Sequence, residues 1–216
     1  MELYTSAVFV MEMVGTVAFA LSGAAVAVRE KLDLFGVVVL GIITSVGGGM
    51  IRDVLIGNIP PNMFRNPIYV TAAFITSVLL FLCFKYFPHT LNNRYVKSEK
   101  IVNFLDAIGL GIFTVVGMDT GIAAGYGEYD FLIIVLGVTT GIGGGMVRDV
   151  LAGRKPVVLQ KQVYASASIA GALTYSLLLK MLPIGYAMFI SAMLVTIIRV
   201  AASKYRWDLP SVKIER

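Results

Sequence analysis

The chain has 216 residues, of which 57% are hydrophobic and only 14% charged, and its formal net charge is +5. A soluble domain carries about a quarter of its residues as charges, so a water-soluble globular body is excluded. Cys83 is the only cysteine, which excludes an intramolecular disulfide.

Seven apolar blocks reach the roughly 20 residues that a helix needs to cross a bilayer, at about 5–28, 34–56, 67–87, 101–123, 130–152, 162–181 and 184–204. The predicted fold class is therefore an all-α membrane protein of seven transmembrane helices. One membrane domain is expected over 1–205, with 206–216 as a cytoplasmic tail. The first block opens with Met1-Glu2-Leu3, lacks a basic leader and exceeds a signal h-region in length, so a retained helix is expected. It carries Glu12. The second block holds Thr44-Ser45 and the string VGGGMIRDVLIG at 46–57. The third holds Cys83, read as an inert packing residue, and is followed by a loop with the lone histidine, His89. The cluster Arg94, Lys97 and Lys100 in that loop suits lipid headgroups. The fourth block carries Asp106, and the fifth holds Thr139-Thr140 and IGGGMVRDVLAG at 142–153. The sixth and seventh blocks are apolar apart from Arg199 within the last and the terminal Lys180 and Lys204.

The two glycine-rich strings lie 96 residues apart and differ at three of twelve positions. Similarity extends in both directions. Glu12, Gly15, Phe19 and Gly23 align with Asp106, Gly109, Phe113 and Gly117, and Tyr69 falls opposite Tyr164. Repeat one spans about 5–88 and repeat two about 101–183, each with three blocks; the last helix stands outside the duplication. An odd number of crossings per copy requires opposite insertion, the inverted-repeat plan. Packing or oligomer contact is expected of the extra helix.

Alternating loops place thirteen basic residues on one side and two, Arg65 and Lys180, on the other. The positive-inside rule then puts the N-terminus outside and the C-terminus in the cytoplasm. The basic excess is a topology signal, and no nucleic-acid partner is expected.

Three consecutive glycines each cost a helix roughly 1 kcal/mol against alanine. Gly47, Gly48, Gly49 and Gly143, Gly144, Gly145 are thus expected to kink or unwind their spans where protein or a water-filled path covers the break. Close helix packing is the alternative. Arg52, Asp53, Arg148 and Asp149 follow at intramembrane depth, where charges pair or face water. Neighbours on a helix do not face each other, so each arginine is expected to find a carboxylate or carbonyl on another element. Glu12 and Asp106 are candidate partners. The hydroxyls of Thr44, Ser45, Thr139 and Thr140 could coordinate a cation or satisfy freed carbonyls. Met50 and Met146 suit a constriction or flexible filling.

The string GGGMIRDVLIG also looks like the head motif of tRNA nucleotidyltransferases, but no paired carboxylates follow to hold a metal. No HExxH or GxSxG string occurs. Neither an enzyme, a metal nor a cofactor is expected.

The paired GGGMxRDVL strings in a seven-block chain of this length resemble the prokaryotic trimeric intracellular cation (TRIC) channels, whose domain is also labelled a glycine transporter. The resemblance covers about residues 5–205. It implies a homotrimer in a bacterial or archaeal plasma membrane, with a pore in each subunit for monovalent cations, chiefly potassium, with sodium as the second candidate. It places the kinks of the second and fifth helices at the glycine triplets, with Arg52, Asp53, Arg148 and Asp149 beside them. The lysine- and arginine-rich lipid motif of animal members is absent from these positions. A secondary transporter of a small zwitterion such as glycine is the other reading of the same residues: helix N-termini and arginine would meet a carboxylate, and Glu12 or Asp106 would serve ion coupling.

Overall fold

A computed structural model of the chain describes residues 2–87, 99–160 and 163–207. His89, Arg94, Lys97 and residues 208–216 of the expected tail lie outside the described residues. Nine helices are described: α1 Glu2–Arg29, α2 Leu34–Leu55, α3 Asn62–Arg65, α4 Ile68–Tyr86, α5 Glu99–Gly121, α6 Asp130–Leu151, α7 Val157–Gln160, α8 Ala165–Leu178 and α9 Ile184–Tyr205. A π-helical turn, Ile122–Tyr126, ends α5, with Gly125 at φ 92°.

Six of these helices are long and apolar enough to cross a membrane. α8 is shorter, with 14 residues. At 1.5 Å per residue it covers about 21 Å, less than the hydrocarbon thickness. The expected span at 162–181 is thus trimmed: backbone turns occupy 179–181 before Pro183 opens α9.

The ends of α2 and α6 explain why each glycine-rich string finishes as it does. Gly57 and Gly153 take positive φ, 71° and 68°, which glycine adopts without a Cβ clash. Their N–H groups donate to Val54 and Val150, and the next N–H groups, of Asn58 and Arg154, donate to the Asp53 and Asp149 carbonyls at 2.8 Å. This is a Schellman cap at both ends. At the other end of α2, the Asp33 carboxylate accepts from the Gly36 N–H at 2.8 Å, an N-cap.

Within the first half α1, α2 and α4 pack mutually, and within the second half α5, α6 and α8 do the same. The halves join through α2 against α6 and α1 against α5. α9 lies on α5 and α8, so the extra helix belongs to the second half. The largest apolar cluster follows from this, with Val115, Val116 and Met118 of α5 against Tyr175 of α8 and Met188 of α9. On α4 only Ala73 and Ser77 are buried, and Phe74, Ile75 and Leu79 face outward, as an apolar surrounding requires. Cys83 is exposed on this helix and is not packed within the subunit.

Candidate functional site

The glycine triplets do not unwind. α2 and α6 run as continuous α-helix through Gly47–Gly49 and Gly143–Gly145. The glycines instead let the two helices touch. A Cβ built on Gly48 would lie 2.1 Å from the Thr140 carbonyl oxygen, and one on Gly144 would lie 2.0 Å from the Thr44 carbonyl oxygen. Such distances admit no side chain. The expected unwinding does not occur, because the close crossing supplies packing that offsets the propensity cost of glycine. The hydroxyls before the triplets are likewise occupied locally. Thr44 donates to Leu40 O and Thr140 to Leu136 O, both at 2.6 Å, the back-bonding common for such residues. Ser45 donates to Gly41 O at 2.8 Å and lies 3.0 Å from Thr16 O. Thr139 is half-buried beside them.

The arginines pair with their own neighbours, contrary to expectation. Arg52 donates from Nε and Nη2 to Asp53 Oδ1 at 3.0 and 2.8 Å, and Arg148 Nε donates to Asp149 Oδ1 at 2.9 Å. The flexible arginine stem lets the guanidinium fork reach sideways across the last turn, which short side chains at adjacent positions do not manage. The second oxygen of each aspartate serves the following segment. Asp53 Oδ2 accepts from Asn62 N–H at 2.8 Å and Asp149 Oδ2 from Val157 N–H at 2.9 Å. Each aspartate thus ties an arginine to the short helix after it, a role the string alone did not reveal.

Beyond this frame the halves differ. Arg148 also meets the expectation of a partner on another element: Nη1 donates to Asp106 Oδ1 on α5 and to Ser22 Oγ on α1, both at 2.7 Å. Arg52 has no second carboxylate within 4.0 Å among the described residues. Glu12, which aligns with Asp106, accepts instead from the Tyr69 hydroxyl. Arg52, Asp53, Asp106, Arg148 and Asp149 are all at most 6% exposed. Buried charges at this depth are tolerated only when paired in this way.

Two cavities approach the glycine crossing. The first, about 50 Å³, is lined by Glu12, Thr16, Ser45, Met50, Arg52, Asp53, Tyr69 and Thr140. The second, about 450 Å³, is lined by Arg29, Glu99, Asp106, Arg148, Asp149, Arg154 and Lys155, among others. They touch opposite ends of shared helices: Glu12 and Thr16 against Val26 and Arg29 on α1, Phe113 against Glu99 and Asp106 on α5. Ten residues separate Thr16 from Val26, about 15 Å of helix rise. At the mouth of the second cavity Arg154 pairs with Glu30. Among the described residues no group of side chains has the makings of a metal site.

A family model described as a glycine transporter matches residues 9–85 and 103–180, one match per repeat. The UPF0126 inner membrane protein YadS of Escherichia coli is 32% identical over 96% of this chain and 97% of its own length. Among solved structures, the TRIC trimeric intracellular cation channel orthologue from Rhodobacter sphaeroides is 31% identical, with a TM-score of 0.82 over 93% of this chain and 98% of that one. A prokaryotic TRIC channel crystallised in 0.5 M KCl is 30% identical, with a TM-score of 0.83 over 97% and 100%. The doubled motif, the buried arginine–aspartate pairs and these likenesses agree: the chain belongs to the UPF0126 glycine-transporter family of membrane proteins, which shares its fold with the TRIC cation channels.

Proposed function

We propose that the protein is a monovalent-cation channel, chiefly for potassium, with a path in each subunit. The observation that carries this reading is the pair of cavities, each lined by buried charged side chains, that approach one glycine crossing from opposite ends of the bundle. The structural neighbours, which are cation channels, support it. Gly48 and Gly144, where the two helices touch, mark the narrowest point between the cavities, and an ion passes there only when the helices move apart. Pairing of Arg52 and Arg148 with aspartates removes the repulsion that bare arginines would exert on a cation.

In this reading α8 and its lead-in make a seventh crossing, and the halves insert in opposite senses. The exchange of contacts supports inversion: residue 44 meets 144 while residue 48 meets 140, so the register runs backwards between helices whose sequences match forwards. The second cavity, with Arg29, Arg154 and Lys155 at its mouth, then faces the cytoplasm, and the N-terminus lies outside. The trimeric assembly of a solved relative and the outward apolar faces of α4 and α9 support a homotrimer in the plasma membrane.

Purified protein in planar bilayers under a potassium gradient tests the reading. The wild type is expected to give unitary currents. Glu12→Gln, which removes the carboxylate of the first cavity that no arginine pairs, is expected to lower unit conductance about threefold. Absence of current in the wild type overturns the reading. The family's glycine-transporter description favours one other reading, a carrier whose arginines meet a zwitterion's carboxylate. Saturable glycine counterflow in proteoliposomes would decide for that carrier.

A further inference from the structure

Arg199 lines neither cavity. It stands on α9, outside the duplication, is 3% exposed, and its Nε has no hydrogen-bond partner. Among the described residues no carboxylate lies within 4.0 Å of it. Its guanidinium lies over the Tyr164 ring instead, 4.4 Å from the centroid. A cation–π contact offsets part of the desolvation of a buried arginine but supplies no counter-charge.

The counter-charge lies near the hydroxyl end of the ring. Tyr164 is 2% exposed, and its hydroxyl is directed at Asp106. A Cβ built on Gly145 would lie 3.0 Å from that hydroxyl and 3.6 Å from both Arg148 Nη2 and Asp106 Oδ1. The tyrosine therefore meets Arg199 with its ring face and approaches Asp106 and Arg148 with its hydroxyl end. It interacts with the charges of Asp106, Arg148 and Arg199 together. One arginine and two aspartates leave that cluster at net −1, and Arg199 brings it to zero. The matched group in the first half, Arg52 with Asp53 and Glu12, is also at net −1. No arginine lies over Tyr69 among the described residues.

We propose that Arg199 is the counter-charge of the Asp106–Arg148–Asp149 cluster, acting through Tyr164, and that it weakens the hold of the second cavity on cations. The extra helix is then a specificity element of the permeation path as well as a packing element. The consequence for conduction rests on the channel reading; the charge balance does not.

Two measurements on the full-length protein keep these separable. In planar bilayers with symmetric KCl, Arg199→Met is expected to raise the hold of the second cavity on potassium on the order of fivefold, from the loss of one unit charge in a partly screened medium. The ratio of currents at equal and opposite voltages shifts accordingly, and Arg199→Lys keeps the wild-type ratio. An unchanged ratio in Arg199→Met, or the same shift in Arg199→Lys, overturns the proposal. Thermal unfolding in detergent supplies a test that needs no current. Arg199→Met lowers Tm, and Asp106→Asn added to it recovers part of the loss, although Asp106→Asn alone is destabilising. If the two losses simply add, Arg199 is packing and not counter-charge, whatever the currents show. If the wild type is silent in bilayers while the rescue is seen, the channel reading fails and the charge balance stands.

Discussion

Arg52 and Arg148 stand at matched positions near the ends of matched helices, and each is buried against the aspartate beside it. Both helices end on the same cap: the glycine four residues after each aspartate has φ of 71° in one half and 68° in the other. The side-chain surroundings are not the same. Arg148 gains Asp106, Ser22 and, behind Tyr164, Arg199, whereas Arg52 has Asp53, with Glu12 turned to Tyr69. Duplication thus preserved what the backbone needs, namely the crossing, the cap and the aspartate that holds the next segment. The charge around each arginine was free to diverge.

The shared part of the comparison is the costliest to break. Gly48→Ala and Gly144→Ala each drive a methyl group to about 2 Å from a backbone carbonyl of the partner helix, which no rotamer change relieves. Loss of folded protein, or destabilisation of about 3 kcal/mol or more, is expected for both, read as a collapse of the monodisperse peak and of Tm. Gly185→Ala has open space around its Cβ and serves as the control. Equal tolerance at all three positions would show that the crossing is looser than these distances require.

The divergent part comes next. Removing the charge of Asp53 leaves Arg52 without a carboxylate partner, and breaking a buried pair in this way costs about 3–5 kcal/mol. Asp149→Asn leaves Arg148 still bonded to Asp106 at 2.7 Å, so about half that cost is expected. Both variants retain an oxygen to accept from Asn62 or Val157. Chemical or thermal unfolding of Asp53→Asn and Asp149→Asn should therefore rank them in that order. The reverse order would mean that Asp106 contributes little to holding Arg148.

Helix positions were legible from the sequence because bilayer thickness sets the length of each apolar block. The second and fifth blocks begin at the residues where α2 and α6 begin, Leu34 and Asp130. The sixth block, 162–181, ran too long because apolar residues continue through the turns at 179–181. At the site, the residues were legible and their partners were not. A glycine triplet reads equally as a break or as a contact until the facing helix is known, and here it faces the carbonyls of Thr44 and Thr140. The neighbour pairing of Arg52 with Asp53 depends on a long side chain doubling back, which helical spacing does not encode. Arg199 stood out as a charge inside an apolar block, but its partner was not legible: its contact is the face of an aromatic ring 35 residues earlier, supplied by the packing of α9 on α8.

The finest test of the comparison lies within the triplets. Gly49 and Gly145 close matched triplets, yet a Cβ on Gly49 would meet only Arg52 Nη2 at 3.6 Å, while one on Gly145 would meet the Tyr164 hydroxyl at 3.0 Å. In a helix interior alanine is favoured over glycine by about 0.5–1 kcal/mol. Gly49→Ala should keep that gain and raise Tm by about 2–4 °C for a chain of this size. In Gly145→Ala the methyl group must displace the hydroxyl of a fully packed tyrosine held from behind by Arg199, so the gain is cancelled and Tm stays level or falls. Combining Gly145→Ala with Tyr164→Phe, which removes the crowded oxygen and keeps the ring under Arg199, should recover the increase seen at Gly49. If Gly145→Ala alone stabilises as much as Gly49→Ala, the convergence of Tyr164, Asp106 and Arg148 on that glycine has no energetic weight, and the two halves differ in charge but not in packing.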